Sequence, residues 1–258
     1  MRDPGTTDIN IATPDAADLH LRIGVGACRL VIRPGGGDAW VTGTYRDPSG
    51  ALPAEVLREG ATVRITQRGQ FAELLGLRHG VPRFDLALGK SKPFMLSIES
   101  GASELDLDLG GVPLTRLVIK QGAGKSHIAF SAPNPQPMTL LNISAGAAAV
   151  EAKYLANANA AEVAIDGGAA AYKFDFGGGL QRNGYVRVSS GMSSVELRVP
   201  SSTAAKILEE TTLGSLDLGD GFTKKEGAFW TMAALEGKTP NLSIQVTLAL
   251  GSLRLRTA

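Results

Sequence analysis

The sequence is short of most features from which chemistry is usually inferred. It holds one cysteine, Cys28, which excludes an internal disulfide framework and any multi-cysteine zinc site. Aromatic residues make up only 5%, a profile that suits tightly stacked β-layers better than a ring-walled pocket. Acidic and basic residues nearly cancel, leaving a net charge of +1, so no global field favours nucleic acid or an anionic membrane. No stretch reaches about 18 consecutive apolar residues, and the opening MRDPGTTDINIATPDAAD is polar. Neither a signal peptide nor direct membrane insertion is expected, and a cytoplasmic setting follows as the expectation. The histidines His20, His79 and His127 are scattered, with no second ligand at metal-binding spacing. No metal and no cofactor are expected.

What is present is glycine, and it is periodic. Gly101, Gly122, Gly146, Gly168, Gly191 and Gly214 are separated by 21, 24, 22, 23 and 23 residues. Such a period means stacked copies of one short unit. Taking each glycine as zero, apolar residues recur at −5 and −3: Leu96/Ile98, Leu117/Ile119, Leu141/Ile143, Val163/Ile165 and Val186/Val188. They recur again at +4, +6 and +8, as in Leu105/Leu107/Leu109, Val150/Ala152/Tyr154, Tyr172/Phe174/Phe176 and Val195/Leu197/Val199. Alternation at period two marks a half-buried strand, so each unit reads as strand, glycine turn, strand and variable loop. Glycine tolerates positive φ and has no Cβ, which permits a sharp corner with close backbone approach between coils. Segments around Gly26 and Gly251 fit the same template.

The outward positions supply an independent check. At +5 the units carry Asp106, His127, Glu151, Lys173 and Glu196; at +7 they carry Asp108, Ala129, Lys153, Asp175 and Arg198. Coils stacked in register about 4.8 Å apart would align these residues into columns. From Glu151 onward the sign alternates in both columns, as cross-strand pairing prefers. In-register stacking of the repeat strands is therefore expected.

Two regions depart from the template. Residues 36–90 hold the strand-like runs Trp40–Tyr45, Val63–Thr66 and Phe84–Leu88, while LPAEVLREG reads as a short helix or a loop. Residues 219–240 read as a hairpin insertion or cap carrying Phe222, Phe229 and Trp230. These three residues are the candidate partner surface, with core or cap packing as the competing reading of Trp230. Irregular ends suit a solenoid, whose open sheet edges invite association and offer a route to oligomers.

Several motifs imitate known sites. IKQGAGKSH (residues 119–127) ends like a phosphate-binding loop, but Ile119 stands where that loop needs glycine, and no helix pattern follows. It reads as an ordinary corner of the repeat. Asp106 and Asp108 resemble an acid/base pair, yet i and i+2 on a strand share one solvated face, without the cleft that would separate their pKa values. Cys28 falls in the +2 slot, filled elsewhere by Ser103, Gly124, Ala148, Ala170 and Ser193, and reads as a small buried filler. The glycine runs at 35–37 and 177–179 read as loops.

The units ESGASELDLDL, KQGAGKSHIAF and SSGMSSVELRV, with the closing GAFW and NLSIQVTLALGSLRL, resemble bacterial toast-rack domains. Similar units occur in neighbouring "putative adhesin" β-solenoids and in the C-terminal domain of LiaF-type cell-wall antibiotic response proteins. The resemblance spans residues 18–256 and implies a parallel β-solenoid with no catalytic residues to carry over. It also implies membership, in some relatives, of envelope-stress signalling systems.

The expectation is thus one all-β domain over residues 1–258: a mainly parallel β-solenoid of about ten coils of 21–24 residues, forming two facing sheets. The expected function is a non-enzymatic scaffold or interaction module with a protein partner, linked to the cell-envelope stress response. The alternative is a carbohydrate-active or carbohydrate-binding β-helix-like protein, which would need carboxylates gathered along one face.

Overall fold

Each glycine-centred unit forms one long strand that changes its inward face at the middle. In β8 (Phe94–Asp108) the buried residues are Phe94, Leu96 and Ile98, then Ser103, Leu105 and Leu107. Gly101 and Ala102 both face outward between them. Two consecutive outward residues break the period of two, so the strand turns a corner and both its arms bury their apolar side against one core. The computed structural model, which describes residues 5–35, 37–67 and 80–257, repeats this unit in β9 (Leu114–Ala129), β10 (Met138–Lys153), β11 (Ala160–Asp175), β12 (Gly184–Arg198), β13 (Ala204–Leu218) and β16 (Asn241–Arg256). In the first copy the arms are separate strands, β2 (Leu19–Val25) and β3 (Arg29–Pro34), which pair with the two halves of β8.

The layers are parallel and in register. Their order through the stack is β6/β7, β2/β3, β8, β9, β10, β11, β12, β16 and β13, nine layers among the described residues. Here β6 is Thr62–Gln67 and β7 is Arg83–Leu88. The expected two sheets are the two arms of one 16-stranded sheet folded along the corner.

The corner glycines work through close approach. A Cβ on Gly101 would meet the Gly26 carbonyl oxygen at 3.0 Å, one on Gly122 the Gly101 oxygen at 3.0 Å, and one on Gly146 the Gly122 oxygen at 2.6 Å. Positive φ occurs instead two residues on, at Gly124 (φ 119) and Gly251 (φ 145). This separates the two roles that the sequence assigned to a single glycine.

Phase fails at the C-terminal end. Gly251 opposes Ser193 on one side and Gly214 on the other, so both glycines occupy the +2 slot. The corners of these layers are Thr212 and Ala249, bracketed by the pairs Thr211↔Leu248 and Leu213↔Leu250. The cause is strand order: β16, last in the chain, lies between β12 and β13. Tyr154 also departs from its slot. It takes a left-handed conformation (φ 59) ahead of a 3-10 turn, Leu155–Ala158, which turns Tyr154 out and buries Leu155.

The two ends are finished differently. At the N-terminal end, β4 (Ala39–Arg46) pairs antiparallel with β7, and β1 (Thr6–Ala12) covers β4. LPAEVLREG, read from sequence as a helix or a loop, supplies β5 (Ala54–Glu59), which forms an antiparallel hairpin with β6. Cross-strand pairs such as Val56↔Ile65 and Leu57↔Arg64 outweigh its helical propensity. At the C-terminal end, β14 (Phe222–Lys225) and β15 (Ala228–Thr231) form the expected hairpin, which pairs with β13 at Lys206 and Ile207. A one-turn helix, α1 (Met232–Leu235), then leads to β16.

The return turns between layers carry an asparagine ladder that the glycine pattern does not reveal. Buried Asn134 donates to the carbonyls of Leu114 (2.8 Å) and Ala158 (3.1 Å) and accepts from the amides of Leu114 (3.2 Å) and Gln136 (3.0 Å). Asn157 donates to Phe130 (2.9 Å), and Asn159 to Gln136 (3.2 Å). These amides satisfy backbone groups that the loops would otherwise bury unpaired.

Candidate interaction surface

The outer face of the C-terminal arms is a ladder of charge. In the +5 column Asp106 opposes His127, His127 opposes Glu151, Glu151 opposes Lys173 and Lys173 opposes Glu196. Glu196 then opposes Arg254, and Arg254 opposes Asp217. The alternation continues to the end of the stack, through a strand order that sequence spacing does not predict. Direct contacts include His127 to Glu151 at 3.2 Å, Arg198 to Glu196 at 2.7 Å and Arg254 to Asp217 at 3.1 Å.

These contacts set the carboxylates for structure. The Arg33 guanidinium, at 2.7 Å, holds Asp106 below the ordinary carboxylate range. Burial works against ionisation of Asp108, but the Gly110 amide (3.0 Å) and the Ser131 hydroxyl and amide outweigh it and hold its pKa low. A proton-donating acid needs the opposite shift. The pair that resembles a glycosidase dyad consists of two stabilised anions. Beside it, at Ala129, the +7 column lacks a long side chain, leaving a pit of about 320 Å³ lined by Arg33, Asp106, Asp108, His127, Glu151 and Lys153.

The phosphate-loop look-alike lies inside β9. Ser126 donates to Gln121 Oε1 at 2.6 Å, and Gln121 Nε2 donates to the Ser103 carbonyl at 2.8 Å. This buried polar pair spans the corner, and Ser126 fills a core slot that the adjacent layers fill with Leu105 and Val150. Cys28 is buried opposite Ser103's layer, and burial pushes its thiol up to about 12, as a filler residue requires. His20 sits 2.8 Å from Ser97 Oγ, whereas His79 lies outside the described residues. The corner itself forms a shallow groove of about 780 Å³ crossing several layers, with Glu99, Lys120 and Asp166 along it.

The expected aromatic trio divides. Phe229 is buried in the core and Phe222 packs against it from a half-buried position, because β15 lies directly on β13. As a surface of three aromatics the expectation is corrected. Trp230 is half-exposed, as Phe222 is, and it carries polar contacts: its Nε1 donates to the Lys225 carbonyl at 3.1 Å, and Lys206 Nζ stands 5.2 Å from its ring centroid. Trp230, Lys206 and Lys238 border a cleft of about 300 Å³ between the hairpin and the start of β16.

Large exposed apolar side chains gather at this same end. Met192, Leu250 and Leu213 share the +1 position in adjacent layers, and Leu216 and Leu218 follow on β13. This cluster is not legible from residue spacing, because Gly214 sets the phase of β13 two residues late.

Residues 2–153 match the family model described as the N-terminal domain of toast_rack, DUF2154. No curated protein sequence matches the chain. Among solved structures, a Clostridium sporogenes protein described as a "putative cell adhesion protein" is similar at 17% identity and TM-score 0.55, with 99% of this chain and 100% of that one covered. A "putative adhesin" from Bacteroides fragilis aligns over 97% of this chain and 95% of that one, at 10% identity and TM-score 0.37. Among the described residues, no helix is long and apolar enough to cross a membrane.

Proposed function

Because this chain belongs to the toast-rack family, we propose that it serves as a non-enzymatic interaction module that presents its C-terminal end to a protein partner. The observation that carries this reading is the pairing of surface charge. Asp106 is held as an anion by Arg33, Asp108 by the Gly110 and Ser131 turn groups, and Glu151 and Glu196 first by Lys153 and Arg198 on their own strands, which suits a rigid scaffold better than proton transfer. The adhesion descriptions of its structural relatives are consistent with a module of this kind. A role beside envelope-stress components follows from the toast-rack resemblance. The contact group proposed is Trp230 with Lys206 and Lys238, an aromatic and two cations beside a cleft.

The test is cross-linking capture from cells expressing the tagged chain, comparing wild type with Trp230→Ala. Loss of one defined cross-linked partner in the variant, with unchanged thermal unfolding, supports the reading. Identical capture removes Trp230 from it.

The polar pit at Ala129 favours one other reading, carbohydrate binding without catalysis. Arg33, Asp108 and Lys153 would supply the hydrogen bonds to sugar hydroxyls. A glycan array probed with wild type and Ala129→Trp separates the two readings: signal lost on filling the pit supports the sugar.

A further inference from the structure

One quarter of the solenoid's two ends is left unfinished. At the N-terminal end, antiparallel strands close both arms: β5 covers β6, and β4 and β1 cover β7. At the C-terminal end, the hairpin covers β13 only at Lys206 and Ile207. From Leu208 to Leu218, the outer edge of β13 has no strand partner among the described residues. The consequence appears in the core slots. Leu216 and Leu218 occupy the columns of Leu253 and Leu255, which are fully buried, yet they remain 39% and 41% exposed. Leu213, at the corner beside them, is 65% exposed. An unpaired parallel strand carrying apolar side chains on its core face is a template for one more strand.

The charge pattern specifies that strand. Between Ile207 and Phe222 the chain carries Glu209, Glu210, Asp217 and Asp220 and no lysine or arginine. Glu209 occupies an inward slot opposite Val246, and an inward carboxylate blocks sheet extension along the N-terminal arm. The receptive stretch is thereby confined to Thr211–Leu218. A second copy of this edge would set acid against acid. The strand already on the inner side of β13 shows the complementary pattern: Leu253, Arg254 and Leu255 of β16 oppose Leu216, Asp217 and Leu218. We infer that the open edge of β13 binds, by strand addition, an extended partner segment with apolar residues at alternate positions and arginine or lysine between them. The inference rests on the interaction-module reading but places the contact away from Trp230.

The experiment uses the full chain and a fluorescein-labelled peptide copying residues 249–257 of β16. A control peptide carries glutamate at the two arginine positions. Anisotropy titration should show binding of the arginine peptide and roughly tenfold weakening of the control, since the arginines that face Asp217 are replaced by like charge. Hydrogen exchange should show protection gained at Thr211–Leu218. Leu216→Lys should abolish binding. Because Leu216 packs on Leu253, the variant Asp217→Asn, which keeps the leucines and removes the carboxylate that opposes the arginine position, is measured alongside and should weaken binding about two- to fivefold. Trp230→Ala should leave peptide affinity unchanged, so failure here and failure of the Trp230 contact are read separately. Equal affinity for both peptides, or binding of neither, overturns the inference. So does a change of protection at Val195–Arg198, which means the peptide has displaced β16. A concentration-dependent dimer abolished by Leu216→Lys also overturns it, making a second copy the occupant.

Discussion

The carbonyl oxygen of Gly122 stands 2.6 Å from the point that a Cβ on Gly146 would occupy. Both atoms belong to backbones fixed by pairing on either side, so neither can retreat without opening the ladder. Gly146→Ala should destabilise the protein by about 1–3 kcal/mol, as overpacking does. Gly191 is the control, because its nearest backbone neighbour is 3.7 Å away. Gly191→Ala should be neutral or stabilising by up to about 1 kcal/mol through the unfolded state. Urea midpoints of the two variants check this, and equal losses would refute the close-approach account.

The buried hydroxyl of Tyr172 has no hydrogen-bond partner among the described residues and lies where a Cβ on Gly167 would stand. Burial, with Asp166 adding to it, pushes the phenol up to about 12. Tyr172→Phe should stabilise the fold by about 1 kcal/mol, because it removes a desolvated polar group. Gly167→Ala should destabilise wild type more than it destabilises Tyr172→Phe. A double-mutant cycle by thermal unfolding reads the difference.

Asn134 tests the turn ladder. Asn134→Leu keeps the volume but leaves the carbonyls of Leu114 and Ala158 and the amide of Gln136 short of a partner, while the Leu114 amide keeps the Val112 carbonyl at 2.9 Å. Each buried group left unpaired costs about 1–3 kcal/mol, so a loss of roughly 3 kcal/mol or more is expected. Exchange of the Gln136 amide should accelerate in the variant.

Acid should act in two windows. His20 has a folded pKa below its ordinary value, from burial and then from Arg22. It favours folding while neutral, and that contribution fades as pH falls below about 6.5. The carboxylates Asp106, Asp108, Glu151 and Glu196 are also depressed. Their contribution is present above about pH 4 and is lost as pH falls through their folded values. Stability measured from pH 8 to pH 2 should decline in those two steps, and His20→Gln should flatten the first alone.

Cys28 should not react with a thiol reagent at pH 8 in the folded protein and should react rapidly in denaturant. Its thiolate is disfavoured by burial, and the thiolate is the reactive form. Fast labelling of the native chain would contradict the filler assignment.

Most of the stack was legible because period-two alternation and column charge are local consequences of one repeated corner. Glu151 and Lys173, 22 residues apart, could be paired on paper and are paired in space. What was not legible depends on strand order or on backbone strain. Gly214 keeps the numerical period, yet Thr212 holds the corner, since β13 aligns to β16 and not to the strand before it. Phe229 read as a surface residue because nothing in the hairpin sequence says which strand it covers. Tyr154 has an inward number, and only its left-handed conformation turns it out. The asparagines of the return turns lie between the repeat's anchor positions, where spacing varies.

The placement of β16 has a consequence for synthesis. A repeat stack made from one end to the other could add each layer to the growing face as it leaves the ribosome. Here β13 emerges before β16, its full-length neighbour among the described residues, exists, while β12 still shows the open face that β16 will take. Until Arg256 has been made, β12 and β13 both lack the complete strand that separates them in the finished stack. Truncation before β16 removes an inner course of the wall and leaves β13, with its exposed leucines, to close a gap cut for another strand.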